Sequence, residues 1–110
     1  MKKHSIPVET AVSEYLRHLK DGEASIIELC DNELTLAGFF EGKGVEFVED
    51  ITKDSPIQYA DTIDVEDIRA YKARLKSFSN DERAEHLRRL QCFFDFCVER
   101  GYMKKVEVGL

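Results

Sequence analysis

Apolar residues recur at helical spacing in four stretches of this chain, separated by short polar or glycine-containing breaks. The first stretch opens at Thr10 and places Val12, Tyr15, Leu16 and Leu19 on one stripe. It predicts a short amphipathic helix ending near Lys20, with Gly22 supplying a left-handed stop. The second opens at Ser25, whose hydroxyl can cap the third following amide while Glu28 reaches back, a capping box. Ile26, Leu29, Cys30, Leu36, Ala37 and Phe40 follow as its inward stripe, with Glu33 the one charge inside it, and Gly42 and Gly44 terminate it.

Residues 45–63 break the rhythm. Val45, Phe47 and Val48 suit a brief strand or an extended strap, and Ser55-Pro56 marks a turn, because proline restricts the residue before it. A long acidic connection is expected, held to the helices by Phe47, Ile51, Ile57 and Tyr59. The third helix begins at Asp64, with Glu66 and Asp67 in its first turn, where carboxylates meet the positive end of the macrodipole. Ile68, Tyr71 and Leu75 face inward, and Arg69, Lys72, Arg74 and Lys76 take the other faces. The fourth helix opens at Ser79 or Asn80 and runs to about Arg100, with Leu87, Leu90, Phe93, Phe94 and Cys97 on its buried stripe, and Gly101 stops it. On a projection of 100° per residue Arg88 points nearly opposite Leu90 and Arg89 lies on a flank. The pattern as a whole predicts an all-α bundle of four main helices, with residues 1–110 forming a single domain.

Composition narrows the class. The 110 residues, 43% apolar, supply one core. No apolar run approaches the length of a membrane span, and the Met-Lys-Lys-His start lacks the apolar segment of a signal peptide, so a cytoplasmic protein without a membrane partner is expected. Cys30, Cys92 and Cys97 are odd in number, lack CxxC spacing, and read as reduced thiols that mostly fill the core. His4 and His18 have no ligand spacing with a cysteine or carboxylate, so neither a metal nor another cofactor is expected. The net charge of -6 is unevenly spread: residues 28–67 carry twelve acids against two bases, and residues 68–110 ten bases against six acids. A basic C-terminal part permits local phosphate contact although the global field opposes it.

From Gly22, Ser25 and Phe39-Phe40, through Ile63-Asp64-Val65-Glu66-Asp67-Ile68, to Leu87-Arg88-Arg89-Leu90-Gln91-Cys92-Phe93-Phe94-Asp95-Phe96 and Gly101-Tyr102, the chain resembles the N-terminal core-binding domain of tyrosine recombinases, the phage integrase family, which implies a SAM-like helical bundle. The likeness spans about Val12 to Lys105. Departures include Glu28 and Glu82, where threonine is usual, Asn32 in place of a tyrosine, and Gln91 in place of an arginine. No Asn-Pro leads out near Val106-Glu107.

The resemblance implies a DNA-binding domain that grips double-stranded DNA opposite a separate catalytic domain during DNA integration and recombination. Its partners would be duplex DNA, the catalytic domain of the same parent chain and other recombinase protomers on the DNA. The chain itself is expected to be non-catalytic, because the arginine, histidine and tyrosine machinery of such enzymes lies in a C-terminal domain absent here. His86-Leu87-Arg88-Arg89 matches the HxxR spelling by chance within a core helix, and Tyr15, Tyr59, Tyr71 and Tyr102 read as packing residues with wet hydroxyls. Given the departures in helix two, the candidate DNA contacts fall on helices three and four: Lys72, Lys76, Arg83, Arg88 and Arg89. Each also has a structural reading, Arg83 pairing with Asp81 or Glu85 and the others solvating their helix. A second class stays open, a helical protein-protein interaction module without DNA binding that pairs through the acidic connection or through exposed Phe96 and Cys92.

Overall fold

The computed structural model describes residues 6–40, 57 and 59–109. Four helices carry the fold, α1 (Val8–Asp21), α2 (Ile26–Phe40), α3 (Val65–Arg74) and α4 (Asn80–Glu99), with short 3-10 turns at Ala60–Thr62 and Leu75–Ser77. The domain is an all-α bundle in which α2 packs on α1, α3 and α4, and α1 also meets α4. No named strand occurs among the described residues, where the nearest approach is a single antiparallel bridge between Pro7 and Tyr59. Of the connection after α2, the proposed anchors Phe47 and Ile51, the Ser55-Pro56 turn and the stops at Gly42 and Gly44 lie outside the described residues. Its end is tied down as expected at Ile57, which is buried, whereas Tyr59 remains half exposed.

Local chemistry starts the last two helices. Asp64 Oδ1 accepts from the amides of Glu66 and Asp67 at 3.0 and 3.2 Å, and Asp67 Oδ2 accepts from the Asp64 amide at 2.9 Å. Ser79 and Glu82 form the same reciprocal box at the start of α4. Each box satisfies donors that the first helical turn would otherwise leave without partners. At the other end of α4, Gly101 takes φ +77, and the Tyr102 amide returns to the Cys97 carbonyl at 2.8 Å. The stop after α1 differs from expectation: Gly22 has φ -84, and the left-handed residue is Glu23 at φ +66.

The core is aromatic. Phe93 lies 5.4 Å from Tyr15 and 6.0 Å from Phe40, centroid to centroid, and Phe39 meets Tyr71 and Phe94 edge-on at 5.7 and 5.5 Å. Leu36, Leu90 and Cys97 fill the remaining space. Burial of the Tyr15, Tyr71 and Cys97 side chains pushes the ionisation of each up to about 12, so Tyr15 and Tyr71 are core residues and not wet ones. Phe96 is also buried, covered by Tyr15, His18 and the Arg100 guanidinium, which removes it as an exposed contact residue. Two further expectations fail on α2 and α4. Ile26 is 79% exposed, and Cys30 and Cys92 face solvent, so only Cys97 among the thiols fills the core.

Candidate nucleic-acid interface

The nominated cations sit on two elements and in different electrostatic states. On α4, Arg88 Nη2 lies 2.5 Å from Glu85 Oε2, and Arg89 lies 3.7 Å from the same carboxylate and 3.6 Å from Asp31 on α2. The Arg88 guanidinium holds the exposed Glu85 carboxyl below its ordinary range. Arg88 and Arg89 are thus brought together on the wall of a cleft of about 440 Å³ between α1, α2 and α4, lined also by Tyr15, Leu19, Glu28 and Cys92. Two guanidiniums there face three carboxylates, Glu28, Asp31 and Glu85, so the patch carries no net positive charge. The Arg89 side chain is only 19% exposed, so it acts chiefly as a strut between α4 and α2. Arg83 donates to the Asn80 side chain at the start of α4, not to Asp81 or Glu85.

On α3 the picture is different. Val65, Arg69, Lys72 and Lys76 recur at spacings of four, three and four residues, which places them along one side of the helix and its 3-10 extension. Lys76 is exposed and meets no carboxylate among the described residues. Lys72 Nζ donates to the Gly109 carbonyl at 2.8 Å, a neutral partner, and forms no ion pair with a carboxylate among the described residues. Arg69, outside the five cations that the sequence pattern singles out, pairs with Glu66 at 2.5 Å, but both side chains are about 70% exposed, and such pairs are weak enough to exchange. Its signal in the sequence was the three-residue and seven-residue spacing to Lys72 and Lys76. No carboxylate among the described residues is shared by ion pairs between this row and Arg88 or Arg89.

The remaining cation of α3 is structural. Arg74 Nη2 donates to the carbonyls of Gly38 and Phe39 at 2.7 and 3.0 Å, satisfying acceptors in the last turn of α2, and its guanidinium lies over the Tyr71 ring. Close approach of α2 to α3 needs a small residue at Gly38, where an added Cβ would sit 3.3 Å from Tyr71 Cε1. Gln91 fixes the path of the chain after α4: its side-chain oxygen accepts from the Val108 amide at 2.8 Å, and its nitrogen donates to the Val106 carbonyl at 3.3 Å. Met103 and Val108 are buried by that strap, which brings Gly109 to Lys72.

Among the described residues no helix is long and apolar enough to cross a membrane, and no group of three or more histidine, cysteine or acidic side chains is arranged to hold a metal. Comparison with protein-family models, with curated proteins and with solved structures finds no match to this chain.

Proposed function

We propose that this chain is a DNA-gripping helical domain of the kind that tyrosine recombinases set across the duplex from their catalytic domain, serving DNA integration and recombination with the parent catalytic domain and neighbouring protomers. The observation that carries this reading is the row Arg69, Lys72 and Lys76 along one side of α3, where positive charge stands clear of all but one exposed acid among the described residues. Neutralising phosphates with such a row releases counterions and gives affinity that depends little on base sequence. The helix order and the capped starts of α3 and α4 agree with the architecture that the sequence resemblance implies.

Fluorescence anisotropy of a labelled duplex, titrated at several salt concentrations, tests it. Binding at low salt that weakens steeply as salt rises, and that falls by about tenfold or more in the double variant Arg69→Glu/Lys76→Glu, is expected. Absence of binding at low ionic strength overturns it and leaves the second reading, a protein-interaction module without DNA binding, which the charge-compensated patch around Arg88 and Arg89, without net positive charge, favours.

A further inference from the structure

The N-terminal half of α2 carries an apolar surface that the core does not use. Ile26, Ile27, Cys30 and Leu34 fall within an arc of about 100° on a helical projection, and all four are exposed, Ile26 and Ile27 by 79% and 73%. Across the helix from Ile27 and Leu34, Leu36 enters the core, so α2 carries apolar side chains outward at Ile27 and Leu34 as well as inward, where a surface helix ordinarily has one apolar face. Ile27 and Leu34 are seven residues apart, two turns or about 10.5 Å along the axis, the interval at which a second helix repeats its own contact positions.

Beside that face, between α2 and the first turns of α4, lies a hollow of about 320 Å³. Leu34 and His86 supply its less polar wall, and Asp31, Asp81, Glu82 and Glu85 surround it against the single cation Arg89. Arg89 spends its charge on Asp31 and Glu85, Glu82 is engaged with the Ser79 amide, and the rim remains net negative. Phe78, 40% exposed, stacks on His86 and extends the apolar surface.

We propose that this face docks an amphipathic, basic helix from another protein, whose apolar stripe covers Ile27 and Leu34 and whose lysines or arginines meet the acidic rim. Charge decides the occupant. A polyanion is repelled by four carboxylates that only Arg89 and, at Glu85, Arg88 offset, and a second copy of this chain laid α2 against α2 would bring Asp31 of each helix towards its counterpart. A cationic helix instead satisfies both the apolar stripe and the rim, the helix-in-groove mode of recognition. The inference is independent of DNA binding, because it uses α2 and the start of α4 and none of the α3 row.

A fluorescein-labelled synthetic peptide of eighteen residues, with leucine at the first and fourth positions of each heptad and lysine elsewhere, is the probe, titrated against the full chain by anisotropy. Saturable binding is expected, weakened about tenfold by Ile27→Ser/Leu34→Ser, which leaves net charge unchanged, and comparably by Asp81→Lys. Glu107→Lys, with the same charge change on the C-terminal strap, should leave affinity within about twofold. All these positions are exposed, and circular dichroism of each variant verifies the fold. Equal binding of a peptide with serine in place of leucine, or equal losses in Asp81→Lys and Glu107→Lys, would mean non-specific attraction and overturn the proposal. So would a wild-type dimer by sedimentation that Leu34→Ser dissociates, since a second copy would then cover the face.

Discussion

The hydroxyl of Thr35, fully buried on α2, lies 2.9 Å from Nδ1 of His86 on α4, and Phe78 stacks on the imidazole from the other side. Burial, followed by the nearby Arg89 guanidinium, lowers the His86 pKa below its ordinary 6.5, with Glu82, Asp31 and Glu85 opposing. The folded state therefore favours the neutral ring, and the unfolded chain binds a proton more readily. The resulting stabilisation is fully present above about pH 6.5 and is lost as pH falls through the folded-state value, because the unfolded state takes up more protons in that window. Urea denaturation between pH 5 and 8 should show stability declining below about pH 6.5, and His86→Gln should flatten that limb. Thr35→Val, which leaves Nδ1 without its buried partner, should cost about 1–3 kcal/mol at neutral pH.

Phe93 is the centre of the aromatic cluster, with no exposed surface and ring contacts to Tyr15, Phe40 and Phe94. Phe93→Ala removes the one side chain that touches α1, α2 and its own helix together, so the cavity cannot collapse by moving a single element. A loss of about 3–5 kcal/mol is expected, a large share of the roughly 5–15 kcal/mol that holds a domain of this size. Phe78→Ala, at a half-exposed ring, should cost much less. Thermal melts of the two variants side by side check the ranking.

Thiol labelling distinguishes the three cysteines. Cys30 and Cys92 face solvent, whereas Cys97 is buried and its ionisation is pushed up to about 12. A thiol-disulfide reagent at neutral pH should modify Cys30 and Cys92 promptly and Cys97 only as the domain opens. Prompt release of three equivalents from the folded protein would contradict the burial of Cys97.

The capped starts of α3 and α4 were legible because capping is local: Asp64 with Asp67, and Ser79 with Glu82, lie three residues apart and need no tertiary partner. The inward stripe of α4 was legible for a related reason, since its apolar positions occupy one face. On α2 the same logic failed. Ile26, Cys30, Leu36, Ala37 and Phe40 share one arc of the helix, but only its C-terminal part, Leu36, Ala37 and Phe40, is buried, and Ile26 and Cys30 near the start of α2 stay outside; periodicity reads the face and not how far along the axis the neighbouring helices cover it. The positive charge of the candidate site was readable from α3 and α4, but not which cations keep a free field. That depends on pairs such as Arg89 with Asp31, which come from distant parts of the chain. After α1 the C-cap is Gly22 as expected, but the left-handed conformation falls one residue later, on Glu23, a position that the preference of glycine for positive φ could not point to.

The division between a positively charged row on α3 and a patch on α4 whose cations are offset by carboxylates leads to a graded expectation for DNA affinity. Each phosphate neutralised contributes about -0.9 to the slope of log affinity against log salt on B-form DNA. Lys76→Gln removes a cation that no described carboxylate offsets, so the slope should become shallower by about 0.9 for the one phosphate it no longer neutralises. Arg88→Gln removes a cation whose field Glu85 largely cancels at 2.5 Å, and a phosphate approaching Arg88 would also meet that carboxylate, so slope and affinity should change little. Arg89→Gln should act through stability, because it withdraws the strut to Asp31 and leaves two carboxylates facing each other without their shared counter-charge. Salt titrations of the three variants, with a denaturation curve for each, separate these effects. A slope that flattens in Arg88→Gln and not in Lys76→Gln would move the DNA-facing surface from α3 to α4.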